Sequence, residues 1–198
     1  MILAFDTSAA RCAAALVRGG DVLASAEEEM ARGQAERLFG LCQELLATAG
    51  AAPGDLAAIG VGTGPGNFTG IRISVSAARG LALGLRIPAV GVTAFDALRL
   101  GTEGACACAV AAPRDQVYLQ TFGPAQDAPP ALHPAAALPR FEGPLIGAGG
   151  RPPVHPSAVA IALIAAMRCH GPVPRPAPLY LRPADAAPAR DTPPEIVP

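Results

Sequence analysis

The tightest constraint on what this chain can fold into is an eleven-residue stretch, Gly62-Thr63-Gly64-Pro65-Gly66-Asn67-Phe68-Thr69-Gly70-Ile71-Arg72. It joins the apolar run Leu56–Val61 to a helical pattern that continues to about Leu85. A glycine loop in this strand-to-helix setting can present backbone N–H groups and a helix N-terminus to an anion. The spacing is neither G-x-x-x-x-G-K-[ST] nor G-x-G-x-x-G, which excludes a Walker loop and a dinucleotide fingerprint. The same residues also suit a tight turn that needs positive φ, with Asn67 or Thr69 capping the helix. Both readings predict a strand–loop–helix unit here.

Around that unit the first hundred residues alternate strand and helix signals. Met1–Phe5 is an apolar run ending in Asp6-Thr7-Ser8. Cys12–Val17 is a second, and Asp21–Ala26 a third, reached through the Gly19-Gly20 hairpin signal. From about Gln34, the residues Leu38, Leu41, Cys42, Leu45 and Ala49 share one helical stripe, with Gly50 at the C′ position. Pro88–Val92 reads as a fifth strand, and Thr93 as the cap of a helix through Leu100. The order β-β-β-α-β-α-β-α predicts an α/β fold, a mixed sheet with crossover helices.

Past Gly101 the signals thin. Ala105–Ala111 and Gln116–Phe122 read as strands joined at Pro113-Arg114-Asp115, and 123–140 is rich in Pro and Ala. Leu145–Gly147 reads as a short strand, Ser157–Cys169 as a helix capped by Ser157, and Leu179-Tyr180-Leu181 as an edge strand. The expected division is a first domain over 1–100, a smaller one over 101–185 and a mobile Pro-rich tail over 186–198.

Composition removes several functions. The 198 residues carry a formal charge of −1, and all fifteen basic residues are Arg, spread along the chain. That argues against a protein holding nucleic acid through its own phosphate contacts. No apolar run approaches the ~18–20 residues of a membrane span. The N-terminus has no signal-peptide n-region, and five Cys is an odd count, so a cytoplasmic protein with reduced thiols is expected. Cys106-Ala-Cys108 is read as strand packing, since its spacing is not CxxC and its flanks are apolar.

Two features invite a site. Asp6 and Thr7 end the first strand, where a carboxylate can hold Mg²⁺ and the hydroxyls of Thr7 and Ser8 can face a phosphate. With Gly64 and Gly66 they form a candidate anion loop, although the triplet equally makes an Asx or ST turn. His133, His155 and His170 show no HxxxH or HExxH spacing, so no helical metal site is expected. The second long helix repeats small residues at Ser76, Gly80 and Gly84. Each interior glycine costs about 1 kcal/mol relative to Ala, which close approach of another helix would offset. Its bulky Ile71, Val75, Ala78, Leu81 and Leu85 lie on a different side and suit the chain's own core.

These residues converge on a resemblance. Ile2-Leu3-Ala4-Phe5-Asp6-Thr7-Ser8, the G-x-G-P-G-x-F-T-G-I-R stretch Gly62–Arg72, Gly80-Leu81-Ala82-Leu83-Gly84 and Pro88–Thr93 closely resemble the TsaB (formerly YeaZ) family of bacterial tRNA threonylcarbamoyladenosine biosynthesis proteins. Arg114, Val117 and Tyr118 resemble the family's D-A-R-x-G-E-V-Y turn, and Pro178-Leu179-Tyr180-Leu181-Arg182 its C-terminal P-x-Y-L-R. The resemblance implies an actin-like ATPase (ribonuclease-H-like) fold of two βββαβαβ-type domains, the second reduced. It implies a non-catalytic subunit that supports TsaD in threonylcarbamoylating adenosine 37 of tRNAs reading ANN codons, together with the ATPase TsaE. It implies no resident cofactor, ATP binding that is weak or confined to the complex, and tRNA contact only through the complex. It also implies that two helices meet TsaD, or a second copy when TsaD is absent, through Leu38, Leu41 and Leu45 on one and Ser76, Gly80 and Gly84 on the other.

Departures from the family pattern fall at Arg32-Gly33-Gln34, where many members have R-x-H, and at Ala111 and Pro113, where they have Asp and Arg. The competing expectation is a small ATP-binding enzyme related to acetate or sugar kinases, using Asp6 and the glycine loop. The lack of any Lys and of a second phosphate loop weighs against it. A metallopeptidase has no visible ligands.

Overall fold

Alternating apolar runs broken by glycine turns build a first sheet. The computed structural model describes residues 1–123 and 127–182. Strands β1 (Ile2–Asp6), β2 (Arg11–Arg18) and β3 (Asp21–Glu29) form an antiparallel meander, turned at Gly19 and Gly20 with φ of 58° and 97°. Helix α1 (Gln34–Thr48) crosses to β4 (Ala58–Gly62), and α2 (Phe68–Leu85) crosses to β5 (Ala89–Val92). β1 pairs parallel to β4, and β4 to β5, giving the order β3-β2-β1-β4-β5. Thr93 caps the short α3 (Ala94–Arg99) by accepting from the Asp96 N–H.

One face of this sheet carries Leu3, Phe5, Leu16, Ile59 and Val61 and is covered by α1 and α2. Leu38, Leu41 and Leu45 are buried there, at 1%, 1% and 6% exposure, as is Cys42. These three leucines were expected at a partner interface, and the structure corrects that. The sheet uses α1's whole leucine stripe for its own core, and the helix turns Phe39, Gln43 and Glu44 outward instead. On α2, Ile71, Val75 and Ala78 point inward as the periodicity predicts.

The other face of the sheet is lined by small residues, among them Ala4, Ala13, Ala15 and Ala58. They receive α4 (Ser157–Arg168), a helix whose residues are almost all apolar. A Cβ on Gly60 would sit 3.0 Å from Ala165 Cβ, so the alanine richness serves close helix-on-sheet packing. Sequence order put α4 with the second domain, but its apolar surface is matched by the first sheet. Its N-cap is Pro156 rather than Ser157, with no side-chain cap.

The second sheet has the order β8-β7-β6-β9, from β6 (Cys106–Ala112), β7 (Gln116–Phe122), β8 (Ala131–Pro134) and β9 (Leu145–Gly147). β8 lies in the stretch rich in Pro and Ala, where the sequence marks no strand, and is an edge strand ending at Pro134. One face packs Cys106, Cys108, Tyr118 and Phe122 against Phe95 of α3; the other is covered by Phe141 and Leu138 from irregular chain. Leu179-Tyr180-Leu181, expected as an edge strand, is a non-strand segment, because Leu179 and Leu181 turn into the second core. The tail expected over 186–198 lies outside the described residues. No described helix is long and apolar enough to cross a membrane.

The buried α1 stripe makes a clear prediction. Leu41→Ala should cost about 2–5 kcal/mol in urea unfolding, as for a core leucine. Leu83→Ala, at a side chain 82% exposed on α2, should change stability by no more than about 0.5 kcal/mol. A near-neutral Leu41→Ala would return that leucine to the surface.

Candidate functional site

The end of β1 is pressed onto the glycine loop. Thr7 Oγ1 donates to the Gly70 carbonyl at 2.6 Å, and the Asn67 N–H donates to the Ser8 carbonyl at 2.6 Å. Asn67 in turn caps α2, its Oδ1 accepting from the Gly70 N–H at 2.9 Å. The glycines permit this approach. A Cβ on Gly70 would overlap the Thr7 carbonyl, one on Gly66 would lie 3.0 Å from Ser8 Cβ, and one on Gly62 would lie 2.5 Å from Asp6 Oδ1. Gly64 takes φ 93°, beside a cis bond to Pro65. The loop donors at Thr63, Asn67 and Gly70 are therefore bonded within the protein, to Val92, Ser8 and Asn67. Thr7, expected to face a phosphate, is fully buried and turned toward α2, because its hydroxyl satisfies the Gly70 carbonyl.

In front of the loop a cleft of about 1280 Å³ opens between the two sheets. Asp6, Gly64 and Gly66 line it, together with Arg11, His155 and Ser157. Asp6 is 5% exposed and accepts the Ser8 N–H on Oδ1, the Asx-turn contact. Arg11 holds Glu27 at 3.2 Å, while Arg11 Nε and Ser157 Oγ are buried without a partner among the described residues. Ala111 and Pro113, where the family pattern has Asp and Arg, also line the cleft, so its second-sheet wall is apolar there. Gln34 is not part of it: its Nε2 donates to the Met30 carbonyl beneath α1.

The sequence reading missed Arg11 and Ser157. The signal for Arg11 was present, since it continues the period-two face of Ala13, Ala15 and Val17. Among the described residues no three His, Cys, Asp or Glu side chains cluster to hold a metal. Cys12, Cys42 and Cys108 are poor nucleophiles as well. Burial pushes Cys12 up to about 11 and Cys42 and Cys108 up to about 12.

The outer side of α2 is a different surface. Ser76, Gly80 and Gly84 are exposed, and a Cβ at Gly80 or Gly84 would meet no atom within 4 Å. At the helix's N-terminal end Arg72 lies over the Phe68 ring, 3.8 Å from its centroid, and donates to Tyr180 Oη at 2.9 Å.

The two kinds of glycine can be separated by experiment. Gly70→Ala should lose about 1–3 kcal/mol through overlap with the Thr7 carbonyl. Gly80→Ala should gain up to about 1 kcal/mol from helix propensity alone. Equal effects of the two in thermal unfolding would contradict the close approach.

Comparison with known proteins follows the same lines. A family model described as "TsaD: tRNA N6-adenosine threonylcarbamoyltransferase" matches residues 23–132. The tRNA threonylcarbamoyladenosine biosynthesis protein TsaB of Escherichia coli is 39% identical over 100 residues, covering 50% of this chain and 43% of that protein. The match thus spans less than half of that relative's length. An uncharacterised Mycobacterium tuberculosis protein is 36% identical over 199 residues, covering 94% of each chain. The solved structure of YeaZ from Pseudomonas aeruginosa superposes with a TM-score of 0.71 at 28% identity, over 91% of this chain and 99% of that one. The two-sheet α/β architecture is the actin-like ATPase fold. The chain belongs to the TsaD-type family, within its TsaB/YeaZ branch.

Proposed function

We propose that this chain is a non-catalytic subunit that supports a TsaD-type transferase in placing a threonylcarbamoyl group on adenosine 37 of tRNAs reading ANN codons. It would act in the cytoplasm, alongside the ATPase TsaE. The observation that carries the reading is the open strip Ser76, Gly80 and Gly84 on α2. Interior glycines weaken a helix, and these two relieve no contact within the chain. A strip without side chains lets a partner helix approach to ~8 Å, the short end of helix packing distances. A second copy of the chain would occupy the strip when the transferase is absent. The TsaB name of the relatives supports the same process. With net charge −1, the chain would meet tRNA through the complex rather than alone.

Three of the loop's N–H donors, those of Thr63, Asn67 and Gly70, are bonded to the protein itself, which supports this reading. A second reading, a small ATP-binding enzyme of the same fold, draws on the cleft and on its unpartnered Arg11 Nε and Ser157 Oγ. Titration calorimetry with Mg-ATP separates the two. A submicromolar constant that disappears in Asp6→Ala supports the enzyme, and weak or absent binding supports the scaffold.

Gly80→Arg tests the interface. Circular dichroism and sedimentation of the monomer should be unchanged, since the site is open. Affinity for the TsaD-type subunit should fall by about 30-fold or more, the scale of a hot-spot loss. Wild-type affinity in the folded variant would place the interface elsewhere.

A further inference from the structure

We propose that residues 172–182 form a latch that fastens the second sheet to the back of the glycine loop and to α2, and so holds the cleft at a fixed opening.

Two halves joined by short connections move relative to one another by default, unless a substantial contact prevents it. Here the chain passes from the first sheet to the second through Gly101–Ala105 and returns through 148–156. Both connections carry glycines at positive φ, Gly101 and Gly104 in one and Gly149 in the other. α3 lies between the halves, with Phe95 in the second sheet's core and Ala97 in the first's. This is the anatomy of a hinge.

The segment after α4 crosses the gap once more. On the second sheet's side, Leu179 and Leu181 pack with Phe95, Tyr118 and Phe122. On the first sheet's side, the Leu179 N–H donates to the Thr63 carbonyl at 2.8 Å, immediately behind the loop whose front lines the cleft. Its carbonyl would lie 3.3 Å from a Cβ on Gly64. α2 grips the same segment from its flank. Arg79 Nε donates to the Pro176 carbonyl at 2.8 Å, and Tyr180 stacks on Phe68 at 4.7 Å between centroids. Arg72 closes that stack with its bond to Tyr180 Oη.

The contacts divide by strength of burial. Leu179 and Leu181 sit against a core, whereas Arg72 is exposed and Tyr180 is 40% exposed. The Arg72–Tyr180 end of the α2 grip is therefore the part that solvent competes with, and it opens first. Opening it would release Thr63 and Gly64 from behind and let the second sheet swing about α3.

Amide exchange by mass spectrometry tests the latch on the full chain. In Arg72→Ala/Tyr180→Ala, exchange at Leu179 and across β6, β7 and β9 should rise about tenfold, while β1, β2 and β4 keep wild-type protection. Small-angle scattering should show a larger radius of gyration. Arg79→Ala alone should give a smaller change of the same pattern, and serves if the double variant does not fold. Unchanged exchange in the second sheet, or an equal rise in both sheets, would overturn the proposal. The first outcome means the grip carries nothing, and the second means the variant is only less stable.

Discussion

The rest of the structure depends on one close approach, that of the Asp6–Ser8 backbone to the first turn of α2. Thr7 and Gly70 meet with no room for a side chain, and Ser8 takes the Asn67 N–H as Asn67 caps the helix. This joins the middle strand of the first sheet to the helix that follows β4. It fixes the direction of α2, the depth of the glycine loop and the wall of the cleft together. The contact spans 63 residues of sequence and is buried, so its formation commits the sheet and helix to one geometry.

Two surfaces follow from that geometry. The front of the loop faces a roomy cleft whose second-sheet wall is apolar at Ala111 and Pro113. The outer side of α2 is left bare by glycines that no internal contact needs. The ion-pair cluster at Arg37 lies apart from both. Arg37 gathers Glu28 and Glu44 with bonds of 2.6–2.7 Å, which holds both carboxyls below their ordinary range and ties α1 to the end of β3. That pairing makes Glu28, within the acidic run Glu27-Glu28-Glu29 that ends β3, a structural residue.

Much of the first sheet was legible because local signals agreed with one another. Gly19-Gly20, Gly50, Asn67 and Thr93 each stand where their turn or cap chemistry predicts. What failed was non-local. A leucine stripe on α1 says that the face is buried but not against what, so Leu38, Leu41 and Leu45 were offered to a partner when the sheet already held them. For Gly66 and Gly70 the neighbours that demand glycine, Ser8 and Thr7, lie some sixty residues earlier, beyond the reach of any local signal. α4 carries no mark of which sheet it covers, and β8 has the Ala and Pro content of a loop. Arg11 and Ser157 were passed over because only the fold brings the start of β2 and the start of α4 to one cleft.

On the function proposed above, the chain works through the outside of α2 and not through its cleft. Hydrogen exchange of this protein, with and without a purified TsaD-type subunit, tests it most directly. The account predicts new protection within Phe68–Leu85 and none at residues 6–11 or 155–159. Protection confined to the cleft residues, with α2 exchanging as in the free chain, would contradict it.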